Sequence, residues 1–260
     1  MKRILAASIL SVSLAAPALA GEFPEDPLKS VMWEYMAERF FSDGKIVFDP
    51  RVRVHTPDSA ENQMLVPVTV DARGLWGVRE ILVVADLNPL PHVLTFHPDQ
   101  AEPFIGFRLK VEQATAIRVG VKTVDGTWYM GGKVIDAAGG GCTAPASVHS
   151  TKNWMASLGK TRALVRRIND DTLRVKVRMK HPMDTGLADG IPVFHMNRIG
   201  VESGGDSVAR IALYEPVSED PTVTIMPKVA KQASVLDFSA SDTEGNTYSY
   251  HLPVPAEPAL

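Results

Sequence analysis

The sequence contains a single cysteine, Cys142, among its 260 residues. One cysteine cannot form an internal disulfide, so no such bond stabilises the fold. Exported proteins usually pair their cysteines, and an unpaired one indicates a reactive thiol, an intermolecular partner or chance. Small residues surround Cys142 in the stretch AAGGGCTAP, residues 137–145. Such a stretch is a poor core position, so we expect the thiol to lie on a movable segment.

Long apolar runs are scarce as well. Beyond the first twenty residues, no segment reaches the roughly 18 apolar residues that a membrane span needs. At the start, Lys2 and Arg3 precede an apolar run from Ile4 to about Ala16, and Ala18-Leu19-Ala20 follows as an A-x-A cleavage site. This order predicts a secretory signal peptide over residues 1–20 and an exported, periplasmic protein.

The sequence also lacks a large excess of charge of one sign, and it lacks common catalytic signatures. The formal net charge is -3, and no run of Lys and Arg would follow a phosphate backbone, so nucleic acid is not an expected ligand. There is no G-x-S-x-G, G-x-G-x-x-G or H-E-x-x-H pattern. Cys142 and His149 would make a thiol hydrolase only with a preorganised base and oxyanion donors, which a Gly-rich segment seldom holds. We expect no enzyme activity and no cofactor.

Two short patterns nevertheless suit copper, because they combine imidazole and thioether ligands. They are His181-Pro182-Met183 and His195-Met196. Pro182 and Gly186 interrupt the chain here, and we interpret these residues as belonging to turns and strands, with no metal bound. A copper or redox protein is the less favoured alternative.

The first recognisable element is a helix. Asp26 can cap it, Pro27 suits its first turn, and apolar residues recur at helical spacing until Phe41. Gly44 follows its end. The pattern predicts one amphipathic helix over residues 26–41.

The rest of the chain is rich in short β-type runs separated by turn residues. Asp125-Gly126 lies between two of them and indicates a hairpin. Evenly spaced strands without intervening helices predict an all-β fold of two immunoglobulin-like antiparallel β-sandwich domains with a short N-terminal helix. We place the first domain at residues 26–138, a Gly-rich linker at 139–159 and the second domain at 160–256. The predicted strands cover residues 65–70, 80–84, 104–111, 117–124, 128–134, 162–168, 172–179, 193–201, 208–213, 221–225, 235–239 and 247–252.

Three local patterns of the first half carry a family resemblance. Asn88-Pro89 follows a buried strand, residues 126–130 (GTWYM) lead into the last strand, and that strand runs directly into GGGC at 139–142. Together they resemble SoxY, the sulfur-compound carrier subunit of bacterial thiosulfate oxidation, over about residues 31–142.

The second half is similar to SoxZ, the partner of SoxY, over about residues 160–254. Residues 162–165 (RALV) and 181–186 (HPMDTG) carry this resemblance. With both halves in one chain, the sequence resembles a fused SoxYZ-like carrier, a type associated with quinoprotein alcohol dehydrogenase systems.

The resemblance implies a carrier that binds sulfur-containing intermediates covalently at Cys142. Gly139, Gly140 and Gly141 correspond to the flexible arm of SoxY, whereas Thr143-Ala144-Pro145 replaces its trailing glycines. The implied partners are periplasmic sulfur-oxidising or quinoprotein dehydrogenase enzymes, and the implied cargo is a small sulfur compound. The alternative is a non-covalent accessory protein of a quinoprotein dehydrogenase system.

The length of this arm limits its reach, and the pKa of an ordinary thiol limits its reactivity. The five residues from Ala137 place the sulfur at most about 17 Å from the sandwich. An ordinary thiol is only a few per cent ionised at neutral pH; His149 or Lys152 would favour the thiolate if the loop folds back, and Asp136 would oppose it. Because fusion raises the effective concentration of the two halves, we expect a stable monomer, which an intermolecular Cys142 disulfide can dimerise under oxidising conditions.

Overall fold

The computed structural model describes residues 23–256, so the predicted signal peptide at residues 1–20 lies outside the described residues. The described chain has one α-helix and fifteen β-strands, and the predicted all-β class with a short N-terminal helix is confirmed. Among these residues, no helix has the length and apolar character that crossing a membrane requires. The elements of the first half are α1 Trp33–Phe41, β1 Ile46–Phe48, β2 Arg53–His55, β3 Val66–Asp71, β4 Val78–Ala85, β5 His92–His97, β6 Ala101–Leu109, β7 Thr115–Thr123 and β8 Trp128–Ile135.

The second half continues with seven strands after two short 3₁₀ helices. The 3₁₀ helices are Ser147–Ser150 and Trp154–Ser157, and the strands are β9 Thr161–Arg167, β10 Leu173–Met179, β11 Met196–Ser203, β12 Asp206–Leu213, β13 Thr222–Pro227, β14 Val235–Asp242 and β15 Thr247–Pro253. The predicted 125–126 hairpin joins β7 to β8, and Gly126 supplies its positive φ of 82°.

Helix α1 begins later than the predicted residue 26. Lys29 has a φ of 53°, in the left-handed region, which a continuous α-helix does not contain. The Asp26 carboxylate accepts a hydrogen bond from the Ser30 backbone N–H at 2.9 Å, so it stabilises a turn that precedes the helix. The helix itself starts at Trp33.

Asp26 also belongs to a buried ion cluster that fixes this N-terminal segment to the sandwich. The guanidinium of Arg118, on β7, is fully buried and pairs with Asp26 at 2.9 Å and Asp86 at 2.7 Å. The Trp33 ring lies 4.4 Å from the guanidinium carbon. Two carboxylates and a ring face therefore surround the buried cation, as its charge requires.

The strands form two sheets, and both sheets run through both halves of the chain. The nine-stranded sheet has the order β1-β8-β7-β4-β5-β12-β11-β14-β15, and the six-stranded sheet has the order β2-β3-β6-β13-β10-β9. The halves meet where β5 pairs with β12 and β6 pairs with β13, both antiparallel. The two halves therefore share both sheets, and each half covers sheet edges of the other, which removes unpaired backbone groups.

The core is equally continuous across this junction. Phe96 of β5 lies opposite Ile211 of β12, and Ile105 of β6 lies opposite Ile225 of β13. All four side chains are buried in one hydrophobic cluster that extends through both halves. The junction is therefore a rigid base for the segment that crosses it, which carries the cysteine.

Candidate functional site

Cys142 lies in a tight turn after β8, and it is buried. Its side chain is free, and the residue is only 1% exposed. The Sγ atom is 3.8 Å from the carbonyl oxygen of Lys110, toward which the thiol donates. The expectation that this stretch is a poor core position is wrong for the thiol, which is buried because hydrogen bonds from both halves hold the turn in place.

The first half holds the turn through one carboxylate. Glu112 accepts hydrogen bonds from the backbone N–H of Cys142 at 2.9 Å and of Thr143 at 3.2 Å. The Thr143 hydroxyl donates to the other carboxylate oxygen at 3.1 Å. The second half contributes Thr185, whose hydroxyl donates to the Cys142 carbonyl oxygen at 2.7 Å. Each half of the protein thus binds the cysteine backbone directly.

The glycines before the cysteine are packed in this closed arrangement. Gly140 and Gly141 donate their N–H groups to the carbonyl oxygens of Glu112 and Val111, both at 3.1 Å. A Cβ atom at Gly141 would collide with the carbonyl oxygens of Val111 and Gln63. At this position, glycine is required for close backbone approach as well as for freedom to bend.

A buried lysine lies beside the thiol. The Lys110 ammonium group crosses the junction and donates to the carbonyl oxygens of Met183 and Glu215, the latter at 3.1 Å. Burial lowers the pKa of Lys110 to about 8. Burial also raises the pKa of the Cys142 thiol to about 12, while Lys110 lowers this pKa and Glu112 raises it further. The closed thiol is therefore protonated and shielded at neutral pH.

Of the two predicted thiol modulators, His149 has another partner. Its Nε2 atom is 2.9 Å from the Asp184 carboxylate, and Trp154 packs edge-on against its ring at 5.2 Å. Lys152 is exposed. The charges that act on the thiol in the closed arrangement belong to Lys110 and Glu112, which sequence reasoning missed because neither lies near Cys142 along the chain.

The rest of the predicted linker is also held against the protein. The Glu219 carboxylate accepts hydrogen bonds from the Ser147 hydroxyl at 2.8 Å and from the Val148 N–H at 3.1 Å. These contacts anchor the first 3₁₀ helix on the second half. Residues 139–159 are thus a docked segment with anchors on both sides of Cys142.

Free space is small on the side of this segment that faces Lys110, whereas an open cavity of about 450 Å³ lies outside Thr143 and Pro145. A cavity of about 10 Å³ adjoins Lys110 and is lined by Asp184, Thr185 and Glu219 among others. That volume suits about one water molecule. A sulfur compound of several heavy atoms does not fit in the small cavity, and Cys142 is only 1% exposed, so a group on its sulfur requires the turn to move outward.

The His and Met residues that suit copper are used for packing. The Met183 N–H donates to His181 Nδ1 at 3.1 Å, and the Met196 N–H donates to Met183 Sδ at 3.3 Å. His195 Nδ1 lies 3.0 Å from the Met196 carbonyl oxygen. Within residues 23–256, no group of three His, Cys, Asp or Glu side chains is arranged to hold a metal ion. The two patterns therefore contribute to the core beside the junction.

Several solved structures resemble this chain in part. The sulfur carrier protein SoxY from Chlorobium limicola f thiosulfatophilum is 23% identical over 40% of this chain and 94% of that chain, with a TM-score of 0.35. A glycosyl hydrolase family 2 member from Bacteroides cellulosilyticus DSM 14838 is 10% identical over 73% of this chain and 24% of its own, with a TM-score of 0.23. A beta-glycosidase from Bacteroides vulgatus is 11% identical over 79% of this chain and 25% of its own, with a TM-score of 0.20. No curated protein matches.

Two family models match adjoining parts of the chain. The model for sulfur oxidation protein SoxY matches residues 37–142 and ends on Cys142. The model for sulphur oxidation protein SoxZ matches residues 163–253, from β9 to β15. The two matches leave only residues 143–162 between them, and the chain therefore belongs to the SoxY and SoxZ sulfur-oxidation protein families, as a SoxYZ-like fusion of a SoxY domain and a SoxZ domain.

Proposed function

We propose that this chain is a periplasmic covalent carrier of sulfur-containing intermediates, which it binds through Cys142. One observation carries the proposal: the SoxY match ends on the only cysteine of the chain, and that cysteine lies where both domains hold the same turn. The signal-like pattern of residues 1–20 supports the periplasmic assignment.

Attachment of cargo is an oxidation that the carrier does not perform alone. When the Cys142 sulfur forms a disulfide-type bond with a cargo thiolate sulfur, the thiol proton leaves and two electrons pass to an acceptor. A partner enzyme of the sulfur-oxidising or quinoprotein dehydrogenase class supplies that acceptor. The carrier contributes the thiol and the segment that presents it.

The closed arrangement protects the thiol between loading events. With a pKa raised to about 12 by burial, the thiolate is essentially absent at neutral pH. Once the turn leaves Glu112 and Thr185, the pKa returns toward the ordinary value of about 8.5, and the thiolate fraction rises by roughly three orders of magnitude. Opening therefore makes the carrier reactive, and a docked partner is well placed to stabilise the open turn.

Intact-mass analysis tests the proposal. The chain is purified from its native host without reductant, beside a Cys142→Ser variant. We expect a mass adduct on the wild-type chain that a reductant removes and that the variant lacks. A wild-type thiol that stays unmodified after incubation with thiosulfate or sulfide and the cognate oxidising enzymes would contradict covalent carriage. Full support of a quinoprotein dehydrogenase by Cys142→Ser would favour the non-covalent accessory role.

A further inference from the structure

An unusual concentration of positive charge covers the outer face of β9 and β10. Strand alternation directs every second residue of these strands to solvent, and the ladder aligns Arg162 with Arg178 and Arg166 with Arg174. The Lys180 N–H donates to the Lys160 carbonyl oxygen at 2.9 Å, which extends the ladder by one step. We name this surface the cationic face; it consists of Lys160, Arg162, Leu164, Arg166, Arg174, Lys176, Arg178 and Lys180, all exposed.

Very little negative charge compensates it. Asp220 pairs with Arg178 at 2.7 Å and with Lys180 at 2.6 Å. The other five cations of the face form no ion pair with any described residue, in a chain whose formal net charge is -3. Like charges placed directly opposite each other destabilise a sheet. Arg174 lies 5.5 Å from the centre of the Phe104 ring, and charge on a terminal strand opposes edge-to-edge pairing, but neither explains like charges placed opposite each other on two strands.

We propose that the cationic face binds an acidic surface of the partner protein that loads or unloads Cys142. The four cross-strand pairs of the face are two residues apart along each strand, so the row of side chains is about 20 Å long. A small oxyanion needs ligands that converge on one point, whereas these cations form an extended row. The face therefore matches an extended array of carboxylates.

Apolar and backbone features favour a protein over a lipid surface or a nucleic acid. Leu164 is 59% exposed in the middle of the face. An apolar centre within a polar rim, with arginine enriched, is typical of protein interfaces. Strand β9 is also the terminal strand of its sheet, so its outer backbone groups pair with no further strand of residues 23–256. At one end an open groove of about 760 Å³ lies between Lys160, Arg162 and Tyr250, which gives room for a side chain of the partner.

The cationic face is linked to the cysteine segment by two short stretches of chain. From Lys180 the chain continues through His181 to Thr185, which binds the Cys142 carbonyl. Asp220, which neutralises one end of the face, adjoins Glu219, which anchors the Ser147 helix. A partner bound on this face is thereby placed beside the segment it must open. This assignment of a loading partner rests on the proposed carrier function.

Charge-reversal variants of the full chain test the face. One variant carries R162E, R166E and K176E, in which two of the new carboxylates lie opposite Arg178 and Arg174. The control variant carries K45E, R53E and R198E, exposed cations outside the face, for the same change in net charge. The probes are a fluorescent 20-residue poly-glutamate peptide, phosphatidylglycerol–phosphatidylcholine vesicles and a 20-nucleotide single-stranded DNA. Thermal melting confirms that both variants remain folded.

We expect the peptide to bind the wild-type chain in a salt-sensitive manner. Its Kd should rise at least about tenfold in the face variant and less than about threefold in the control. No peptide binding by the wild type, or equal loss in both variants, would overturn the proposal. Face-dependent binding of the vesicles or of the DNA, tighter than that of the peptide, would replace the acidic protein by a membrane or a nucleic acid.

The Cys142 adduct separates this proposal from the carrier function. In the native host, the loaded fraction should fall at least about fivefold in the face variant and stay unchanged in the control. Equal loading of the face variant and the wild type would refute the docking role while the carrier function stands. A wild-type chain with no adduct would refute the carrier function, and the peptide assay would still decide what the face binds.

Discussion

Glu112 should control how often the cysteine turn opens. Its carboxylate accepts three of the hydrogen bonds that hold Cys142 and Thr143. Bonds to a charged acceptor contribute about 1.5–3 kcal/mol each when buried, but Thr143 is exposed and water replaces part of them. We therefore expect Glu112→Ala to favour the open turn by about 1–3 kcal/mol in total, which corresponds to about 5-fold to 150-fold more open protein.

The rate of thiol alkylation measures this opening. The closed thiol is buried and protonated, so iodoacetamide reacts with the open form, whose rate should rise with pH around an ordinary thiol pKa of about 8.5. Burial is the main cause of the raised pKa in the closed form, and the Glu112 carboxylate adds to it. Since only the open form reacts, removing that carboxylate raises the alkylation rate through opening of the turn.

Glu38→Ala is the matched control, because Glu38 is an exposed carboxylate of the same half, on helix α1. It should leave the alkylation rate within about twofold of the wild type, since surface charges far from the turn contribute little. Thermal melting should show that Glu112→Ala does not loosen the whole fold. An alkylation rate for Glu112→Ala no higher than that of the control would refute a turn held closed by this carboxylate.

Three further predictions concern stability and packing. Between pH 9.0 and about 12 the folded chain keeps the Cys142 thiol proton that the unfolded chain loses, so this group makes the free energy of unfolding fall as pH rises. In denaturant titrations, Cys142→Ser should remove up to about 1.4 kcal/mol of that loss per pH unit. Identical pH profiles of the two proteins would contradict the buried thiol. The buried Lys110, with its pKa lowered to about 8, opposes the trend up to 10.5 in both proteins. Arg118→Met leaves Asp26 and Asp86 without their cation and should lower the free energy of unfolding by about 3–5 kcal/mol. Arg53→Met, at an exposed site, should change the melting temperature little. Equal melting temperatures of the two variants would refute the ion cluster. Gly141→Ala places a Cβ against two carbonyl oxygens and should speed alkylation of Cys142 more than Gly74→Ala, where the same atom meets only the Arg51 side chain, at 3.4 Å. Equal rates would exclude the packed glycine.

Local sequence patterns were sufficient for most of the strands. Each predicted strand overlaps an observed one. The signal for these strands is local, because it consists of β-branched and apolar runs bounded by turn residues in the same short stretch of sequence. The missed strands are β1, β2 and β5. The first two are three residues long and partly exposed, so they carry too little alternation to be recognised. Strand β5 begins and ends with histidine, and Pro89 and Pro91 precede it.

Contacts between distant segments could not be predicted in this way. The pairing of β5 with β12 joins residues more than a hundred positions apart, and nothing in either strand specifies the other. The burial of Cys142 has the same origin, because Glu112 and Thr185 lie 30 and 43 positions away. A Gly-rich stretch predicts freedom of the backbone, but the acceptors around it decide whether that freedom is used.

The cationic face shows how a sheet concentrates charge that a linear reading overlooks. Residues 162, 164 and 166 alternate with the uncharged residues Ala163 and Val165, so no long run of Lys and Arg forms in the sequence. Antiparallel pairing then sets β10 beside β9 and doubles the density of cations on one side. A search for basic runs does not find this face, because its signal is the period of two in neighbouring strands.

Fusion gives the proposed carrier a different mode of presentation from that of a free tail. Cys142 lies five residues after Ala137 and five residues before Ser147, which Glu219 anchors. If the turn opens while Ala137 and Ser147 stay in place, the thiol lies at the tip of a loop made of two chain segments. Each of these segments can extend at most about 17 Å. Two adjacent extended segments are about 5 Å apart between their backbones, wider than a single one. A partner that receives this tip therefore needs an open cleft, whereas a narrow tunnel would admit only a free end. The continuous sheets keep both anchors fixed, so opening is confined to the segment between them.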